Sequence, residues 1–439
     1  MPQIDLRFRL VCMFQDNPVA QKAIDTMINT RDNLYITGDA GTGKTTLLKH
    51  FMDKTDKHVV VLAPTGMAAV QIEGETIHSF CRFNTDPGWM MIEENKIHKL
   101  RDNRKIKAID TLVIDEISMV RSDMLDALDY FFRLNKGKMR LPFGGVQVIL
   151  FGDHFQLPPV LRSDERSLFY EKYEVEYFFG AKVYPQLNIN YIKLSKNYRQ
   201  TDETFLRLLG YLRYGKVNSE VLEWVNRKLL KTETIQVQNR IIIASRNQEV
   251  TSTNYRYLDE LDGEIVSYRA VVFGQFKEES FPAEKFLVLK VGAQVMFVKN
   301  DPEKNWVNGT IGQVVELTKE MIKVRIKTKI VEVDLASWQN HTYKYDEEKN
   351  ELIKELTGEY TQYPLRLAWA VTIHKSQGQT FDTCEIDLGN GAFVFGQTYV
   401  AFSRCRSLDG LVLSKSLNMR DIKTDPKVFA FDQSIEWNG

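Results

Sequence analysis

A chain of 439 residues is too long for one ordinary core, and a prior of about 150 residues per domain divides it into about three. Hydrophobic residues at 43% and charged residues at 26% give a globular composition, and no apolar run approaches the ~18 residues of a membrane span, so no membrane partner is expected. Lys plus Arg equals Asp plus Glu at 58 each, so a nucleic-acid partner would have to meet a local basic groove. Cys12, Cys81, Cys384 and Cys405 are scattered, which argues against structural zinc and a disulfide framework. The N-terminus, Met1 to Arg7, has no apolar segment of a secretory signal, and a reducing cytoplasm is the expected compartment.

In chain order, Asn33 to Thr37 reads as a buried strand and Leu47 to Phe51 as a helix. Between them Gly38-Asp39-Ala40-Gly41-Thr42-Gly43-Lys44-Thr45-Thr46 fits the G-x-x-x-x-G-K-[ST] phosphate loop in the frame that loop requires. Gly38, Gly41 and Gly43 let the backbone close around phosphate, loop N–H groups meet the anion, Lys44 reaches the terminal phosphates, and Thr45 would hold Mg²⁺. This implies a bound nucleoside triphosphate but no task. The apolar runs Val59 to Ala63, Thr111 to Ile114 and Gln147 to Phe151 alternate with helical stretches up to about residue 195, the pattern of a parallel sheet covered on both faces. Residues 81–110, with Pro87-Gly88 and a charge-dense run, break the rhythm as a small insertion would.

Asp115 and Glu116 end an apolar strand, where a phosphate-loop enzyme keeps a metal ligand (Asp115) and a general base (Glu116); the bland alternative is a solvated acidic strand end. In Gly152-Asp153-His154-Phe155-Gln156-Leu157-Pro158-Pro159, Gln156 either contacts the γ-phosphate or caps a loop. Arg199 and Arg404 are candidates to supply charge beside a transferring phosphoryl group, against the reading of each as a surface ion pair. A second α/β signal starts at Arg240 to Ser245 and resumes near Leu365, and the β-rich segment from about 266 to 350 reads as an antiparallel module inserted in it. The polar run Asp346 to Glu351 reads as a solvated turn.

Thr65, His78 and the stretch Thr372 to Gly378 carry groups suited to backbone phosphates, although by composition alone His78 and His374 read as packed histidines. Phe80, Phe83 and Trp89 either stack on bases or fill the insertion's own core. The basic run Lys96, Lys99, Arg101, Arg104, Lys105 and Lys107 is interspersed with acids, as on a solvated helix face or a nucleic-acid contact.

Together these motifs resemble the petite integration frequency (Pif) family of superfamily 1 5′-to-3′ DNA helicases, in a size that suggests a compact bacterial or phage member. The matching pieces run nearly end to end: GDAGTGKTTLL, APTGMAAVQIEGETIHSF, VIDEISMV, PFGGVQVILFGDHFQLPPV, LSKNYRQ, GAQVMFVKN with NGTIGQV, YPLRLAWAVTIHKSQGQTFD and GQTYVAFSRCRSLDGL. The resemblance implies an α/β fold of two RecA-like parallel-sheet domains, with a small wedge insertion in the first and an SH3-like β insertion in the second. Carried onto this chain, the first domain takes residues 1–195 with the wedge at about 81–110, the second takes 196–265 and 360–439, and the inserted β domain takes 266–359.

ATP with Mg²⁺ is expected between the two domains and single-stranded DNA across their tops. By motif, the resemblance gives Lys44 and Thr45 to phosphate and Mg²⁺, with Gly38, Gly41, Gly43, Thr46 and Gly378 around the nucleotide and Gln21 reading adenine. Asp115 and Glu116 would hold Mg²⁺ and activate water, Gln156 would sense the γ-phosphate, and Arg199 and Arg404 would act as fingers. Thr65, His78, Phe80, His374, Lys375 and Ser376 would line the DNA track. The implied activity is an ATP-dependent helicase that unwinds duplex DNA in replication, recombination, repair or telomere maintenance; the alternative is an ATP-driven translocase that displaces proteins or RNA with little processive unwinding. The implied partners are single-stranded DNA and forked or tailed duplex, with G-quadruplexes and RNA–DNA hybrids as further substrates, for a protein expected to be a monomer in solution. His154, where many relatives carry an aromatic or apolar residue, and Phe402, in place of a commoner Leu, depart from the pattern without removing a catalytic group. The segment between Ser118 and Pro142 follows the family's signature loosely.

Overall fold

The computed structural model describes residues 14–437 apart from 15, 85, 201, 231–239, 277 and 347–350. The N-terminal segment, Cys12 and most of the turn expected at 346–351 lie outside the described residues.

Six strands, β1 (Leu34–Gly38), β2 (Val59–Ala63), β3 (Glu75–Thr76), β4 (Thr111–Ile114), β5 (Gln147–Phe151) and β6 (Asn190–Leu194), form a parallel sheet in the order β3-β2-β4-β5-β1-β6. Successive residues of a strand point to opposite faces, so a sheet covered on both sides needs apolar residues at every position. Tyr35, Val60, Leu112 and Leu150 enter one core with helix Ser122–Lys136, while Ile36, Val61, Val113 and Ile149 enter the other with helices Pro18–Asn29 and Lys44–Lys54. Because the strands run in one direction, their carboxyl ends share an edge, and the phosphate loop, Thr65, Asp115, Gln156 and Arg199 all follow strand ends there.

A second parallel sheet runs in the order Ala370–Thr372, Ile241–Ala244, Cys384–Asp387 and Leu411–Leu413. Antiparallel pairings intervene in the chain. Lys329–Val333, Ile322–Ile326, Ile311–Leu317, Gln294–Phe297 and Leu365–Leu367 make a five-stranded sheet. The module boundary expected at 359 falls inside strand Glu351–Gln362, and the module's last strand, Leu365–Leu367, pairs with Gln294–Phe297 beyond it. No helix among the described residues is long and apolar enough to cross a membrane.

Two segments pack away from the unit their sequence position suggests. The hairpin Ala336–Asp346 with Glu351–Gln362 reaches the first sheet, where the Tyr343 hydroxyl accepts the Val61 N–H at 3.1 Å and its ring lies among the first domain's apolar residues. Helix Pro426–Ser434, expected in the second domain, returns to the first: Phe431 stacks on Phe179 at 4.1 Å and Lys427 pairs with Glu176 at 2.8 Å. Burial of Phe431 and Trp437 is the physical reason, because both are packed against the first domain's core.

Candidate active site

The phosphate loop takes the backbone path its glycines permit. Gly41 and Gly43 have φ of 89° and 85°, and Gly43 caps helix Lys44–Lys54 in the left-handed conformation that a side chain would strain. A Cβ on Gly41 would also stand 2.6 Å from Cβ of Arg199, so loop and arginine approach only because it is glycine. Gly38 serves packing instead: it is not among the residues around the cleft, and a Cβ there would meet the Leu194 carbonyl oxygen at 2.6 Å. Lys44 donates to the carbonyls of Gly38 at 2.7 Å and Asp39 at 3.1 Å. Burial pulls its ammonium below the ordinary lysine range, while Asp153 and Glu116 act to keep it charged.

Around this loop lies a cavity of about 670 Å³ lined by Lys44, Thr45, Thr46, Asp115, Glu116, Gln156, Arg199, Gly378 and Arg404 among others. Burial and the neighbouring Glu116 push Asp115 up to about 7, and burial also raises Glu116 against the opposing pull of Lys44 and Arg404. Glu116 adopts φ of 51°, a strained position of the kind concentrated at functional sites. Gln156 is turned inward, with its Nε2 3.4 Å from Asp153 Oδ2.

The two arginines are held by oxygens that carry no full charge. Arg404 donates to Val400 O at 3.0 Å and Ser403 Oγ at 2.7 Å, and Arg199 donates to Ser403 O at 3.2 Å. Burial, then repulsion from Arg404, lowers Arg199 to about 9. Buried Arg404 and half-buried Arg199 border the same cavity as buried Asp115 and half-buried Glu116, a charge arrangement that suits an anion with its metal. Among the described residues no group of three or more His, Cys, Asp or Glu could hold a metal. Asp115 and Thr45 are therefore too few for a protein cage, but they suit Mg²⁺ completed by phosphate oxygens and water.

Other expected site residues fall elsewhere. Gln21 is exposed on helix Pro18–Asn29 with its Nε2 3.2 Å from Phe14 O, outside the cavity lining. Phe80 cannot stack on a base: it is 1% exposed, stacked on Phe132 at 6.1 Å with the Lys105 ammonium 4.6 Å above its ring. Ser376 is fully buried and its hydroxyl caps Ile373 O at 2.8 Å, so its side chain has no free face for DNA. Thr65 caps helix Gly66–Gln71 through Ala68 N–H, His78 is half-buried on helix Ile77–Cys81, and Lys375 is exposed. Within the basic run, Lys96 pairs with Asp86 at 2.6 Å and Arg104 with Asp102 at 2.8 Å, as on a solvated face.

Sequence reasoning passed over several lining residues. Tyr198, Gln71, Thr380 and Arg406 border the cavity around the phosphate loop; Tyr198 stood beside Arg199 in LSKNYRQ and could have been found there. His374 lines a second cavity of about 550 Å³ with Pro159, Val160, Phe393 and Phe395. Val160, Phe393 and Phe395 are 69%, 50% and 39% exposed, unusual for such side chains, and the two phenylalanines had no partner motif in the sequence to mark them.

Residues 14–222 match the model of the PIF1-like helicase family, and residues 278–317 match that of the DNA helicase Pif1 2B domain. The chain is 36% identical over 434 residues to the ATP-dependent DNA helicase Pif1 of Bdellovibrio bacteriovorus, covering 96% of this chain and 92% of that one. It covers 62% of the longer Rattus norvegicus ATP-dependent DNA helicase PIF1, at 34% identity over 94% of this chain. The crystal structure of Bacteroides sp Pif1 in complex with ADP-AlF4 superposes with a TM-score of 0.86 at 35% identity, over 95% of this chain and 96% of that one. The Bacteroides Pif1 bound to ssDNA gives 0.68 at 36% identity over the same shares of the two chains.

Proposed function

The chain belongs to the PIF1-like helicase family and is an ATP-dependent DNA helicase, and from that premise we propose that it moves 5′ to 3′ along single-stranded DNA and opens the duplex ahead of it. The observation that carries the proposal is the single cavity that joins Lys44, Asp115, Glu116 and Gln156 of the first domain to Arg199 and Arg404 from beyond residue 195.

In this reading the loop N–H groups and Lys44 take the terminal phosphates, and Lys44 gives up its carbonyl contacts to do so. Mg²⁺, held by Thr45 and Asp115, would offset the charge on the phosphate oxygens. Glu116, which burial biases toward holding a proton, accepts one from the attacking water. Arg199 and Arg404 meet the γ-phosphate. When the cleaved phosphate leaves, half-buried Arg199 and buried Arg404 lose their shared anion and repel, which opens the cleft and moves the domains relative to each other. Gln21 is retained as an adenine contact that would need its side chain to turn from Phe14 O.

The DNA would cross His374, Phe393, Phe395 and Val160, with Thr65, His78 and Lys375 on its phosphates; stacking on an aromatic ring is worth about 1–3 kcal/mol per base. The short helices within 81–110 would be the wedge, and the antiparallel module would be SH3-like. The hairpin bearing Tyr343 would then lift from the first domain when DNA enters. The lower TM-score to the ssDNA-bound relative, at nearly the same identity as the ADP-AlF4 complex, supports a rearrangement on DNA binding without placing it in any one element. G-quadruplexes and RNA–DNA hybrids as further substrates, a monomeric state and a cytoplasmic setting belong to the same reading. Forks carrying either a 5′ or a 3′ single-stranded tail test it: opening of the 5′-tailed fork alone is expected, and preferential opening of the 3′-tailed fork would reverse the polarity.

A further inference from the structure

Groups from four segments meet beside the nucleotide cleft in a junction that is buried except at the Asp39 side chain, which is half exposed. Arg213 ends helix Glu203–Arg213 and is 1% exposed. Its Nη2 donates to Asp153 Oδ1 at 2.9 Å, and its Nε lies 3.3 Å from Asp39 Oδ1 in the phosphate loop. From the other side Tyr399, on helix Gln397–Phe402, donates its hydroxyl to Asp153 Oδ2 at 3.1 Å while accepting the Ala40 N–H at 3.1 Å. The guanidinium also lies over the Phe155 ring, 4.2 Å from its centroid. Burial alone would raise the Asp153 carboxyl, yet Arg213 and Lys44 hold it well below the usual carboxylate range. Neither Arg213 nor Tyr399 lines the nucleotide cavity.

A buried ion pair gains little over apolar packing of the same volume, so stability is a weak reason for this one. Its placement is more telling. The planar guanidinium fork hydrogen-bonds Asp153 through Nη2 while its Nε faces Asp39 as a charge contact without a hydrogen bond, a two-sided reach that a lysine ammonium does not reproduce with the same geometry. Asp153 in turn lies beside Gln156, and the Tyr399 helix leads directly into Arg404. We infer that Arg213 is a positioning residue for ATP turnover, tying the phosphate loop and the Gln156 segment to the second domain so that the γ-phosphate contacts form together. The inference rests on the reading of the cleft as the site of ATP hydrolysis. Loss of the tie would loosen the registration of Gln156 and Arg404 on the phosphate while leaving nucleotide binding in place.

The test uses the full chain as wild type, R213K and Y399F, measuring ssDNA-stimulated ATP turnover, nucleotide-binding stoichiometry and melting midpoint. Wild-type turnover is read first and bears only on the cleft; the ratio of each variant to wild type bears on Arg213. R213K keeps a charge against Asp153 but not the fork, and kcat is expected to fall about tenfold or more with KM for ATP changed less than twofold and full stoichiometry. Y399F should fall in the same direction by a smaller factor. Wild-type kcat in folded R213K overturns the inference, and so does a loss of kcat matched by an equal loss of stoichiometry, the signature of a merely structural role. Should R213K fail to fold, Y399F decides: lowered kcat at full stoichiometry supports the tie, and unchanged kcat overturns it.

Discussion

In the proposed function Lys44 and Arg404 meet the same anion at different stages, and their variants should separate. Lys44→Ala removes the only lysine among the described residues lining the cavity around the phosphate loop and should abolish hydrolysis. Arg404→Ala should retain nucleotide binding while turnover falls by about 10³-fold or more, as for a finger that acts in the transition state; filter binding beside a phosphate-release assay would show whether the two effects part. His154 makes a different forecast. Its ring is 1% exposed, with Nδ1 2.7 Å from the Tyr35 hydroxyl and Nε2 3.0 Å from Asp432 Oδ1. Burial lowers its pKa from 6.5 despite the pull of Asp432, so the unfolded chain takes up a proton that the folded one refuses. Stability from this residue is therefore full above about pH 6.5 and declines below it, by up to about 1.4 kcal/mol per pH unit until the folded pKa is reached. Melting midpoints between pH 7.5 and 5.5 should show a shallower acid slope in His154→Phe than in wild type; equal slopes would remove the assignment.

Among the elements, two glycines in superficially similar helical settings should respond oppositely to alanine. Gly396 begins helix Gln397–Phe402 with φ of 71°, and a Cβ there would meet the backbone oxygens of Phe155 at 2.5 Å and Gln156 at 2.7 Å. Gly396→Ala should destabilise by about 1–3 kcal/mol and displace the Gln156 segment. Gly210, inside helix Glu203–Arg213, has nothing within 4 Å of a Cβ, and Gly210→Ala should stabilise by about 0.5–1 kcal/mol. Urea unfolding midpoints moving apart in these directions would bear out both. Elements whose signal is contiguous were readable from the chain: β1, the phosphate loop and its helix declare themselves within twenty residues, and both faces of each central strand had to be apolar. What the sequence did not disclose depends on distant partners. Phe80 sits in a five-residue helix too short to show which face is buried, and Ser376 is turned inward by a local cap to Ile373 O. Nothing near Tyr343 or Phe431 in sequence announces the first domain's core as their destination.

For the whole molecule, a balanced formal charge and the proposed track of loops and half-buried polar groups predict DNA binding carried by local phosphate contacts. Affinity for single strands should fall steeply and log-linearly with salt, in proportion to the phosphates neutralised; a flat salt dependence, measured by fluorescence anisotropy, would shift the grip to base stacking on Phe393 and Phe395. The returning helix Pro426–Ser434 has a mechanical meaning as well. Phe14 packs in the first domain's core and Trp437 stacks over His154, so both described ends of the chain rest on one body. The second sheet and its β module are inserted between those ends and dock on that body through Tyr343, Arg213 and Tyr399. Tension applied between residues near 14 and 437 would therefore enter the molecule through the first sheet's body and reach the second only across these docking contacts.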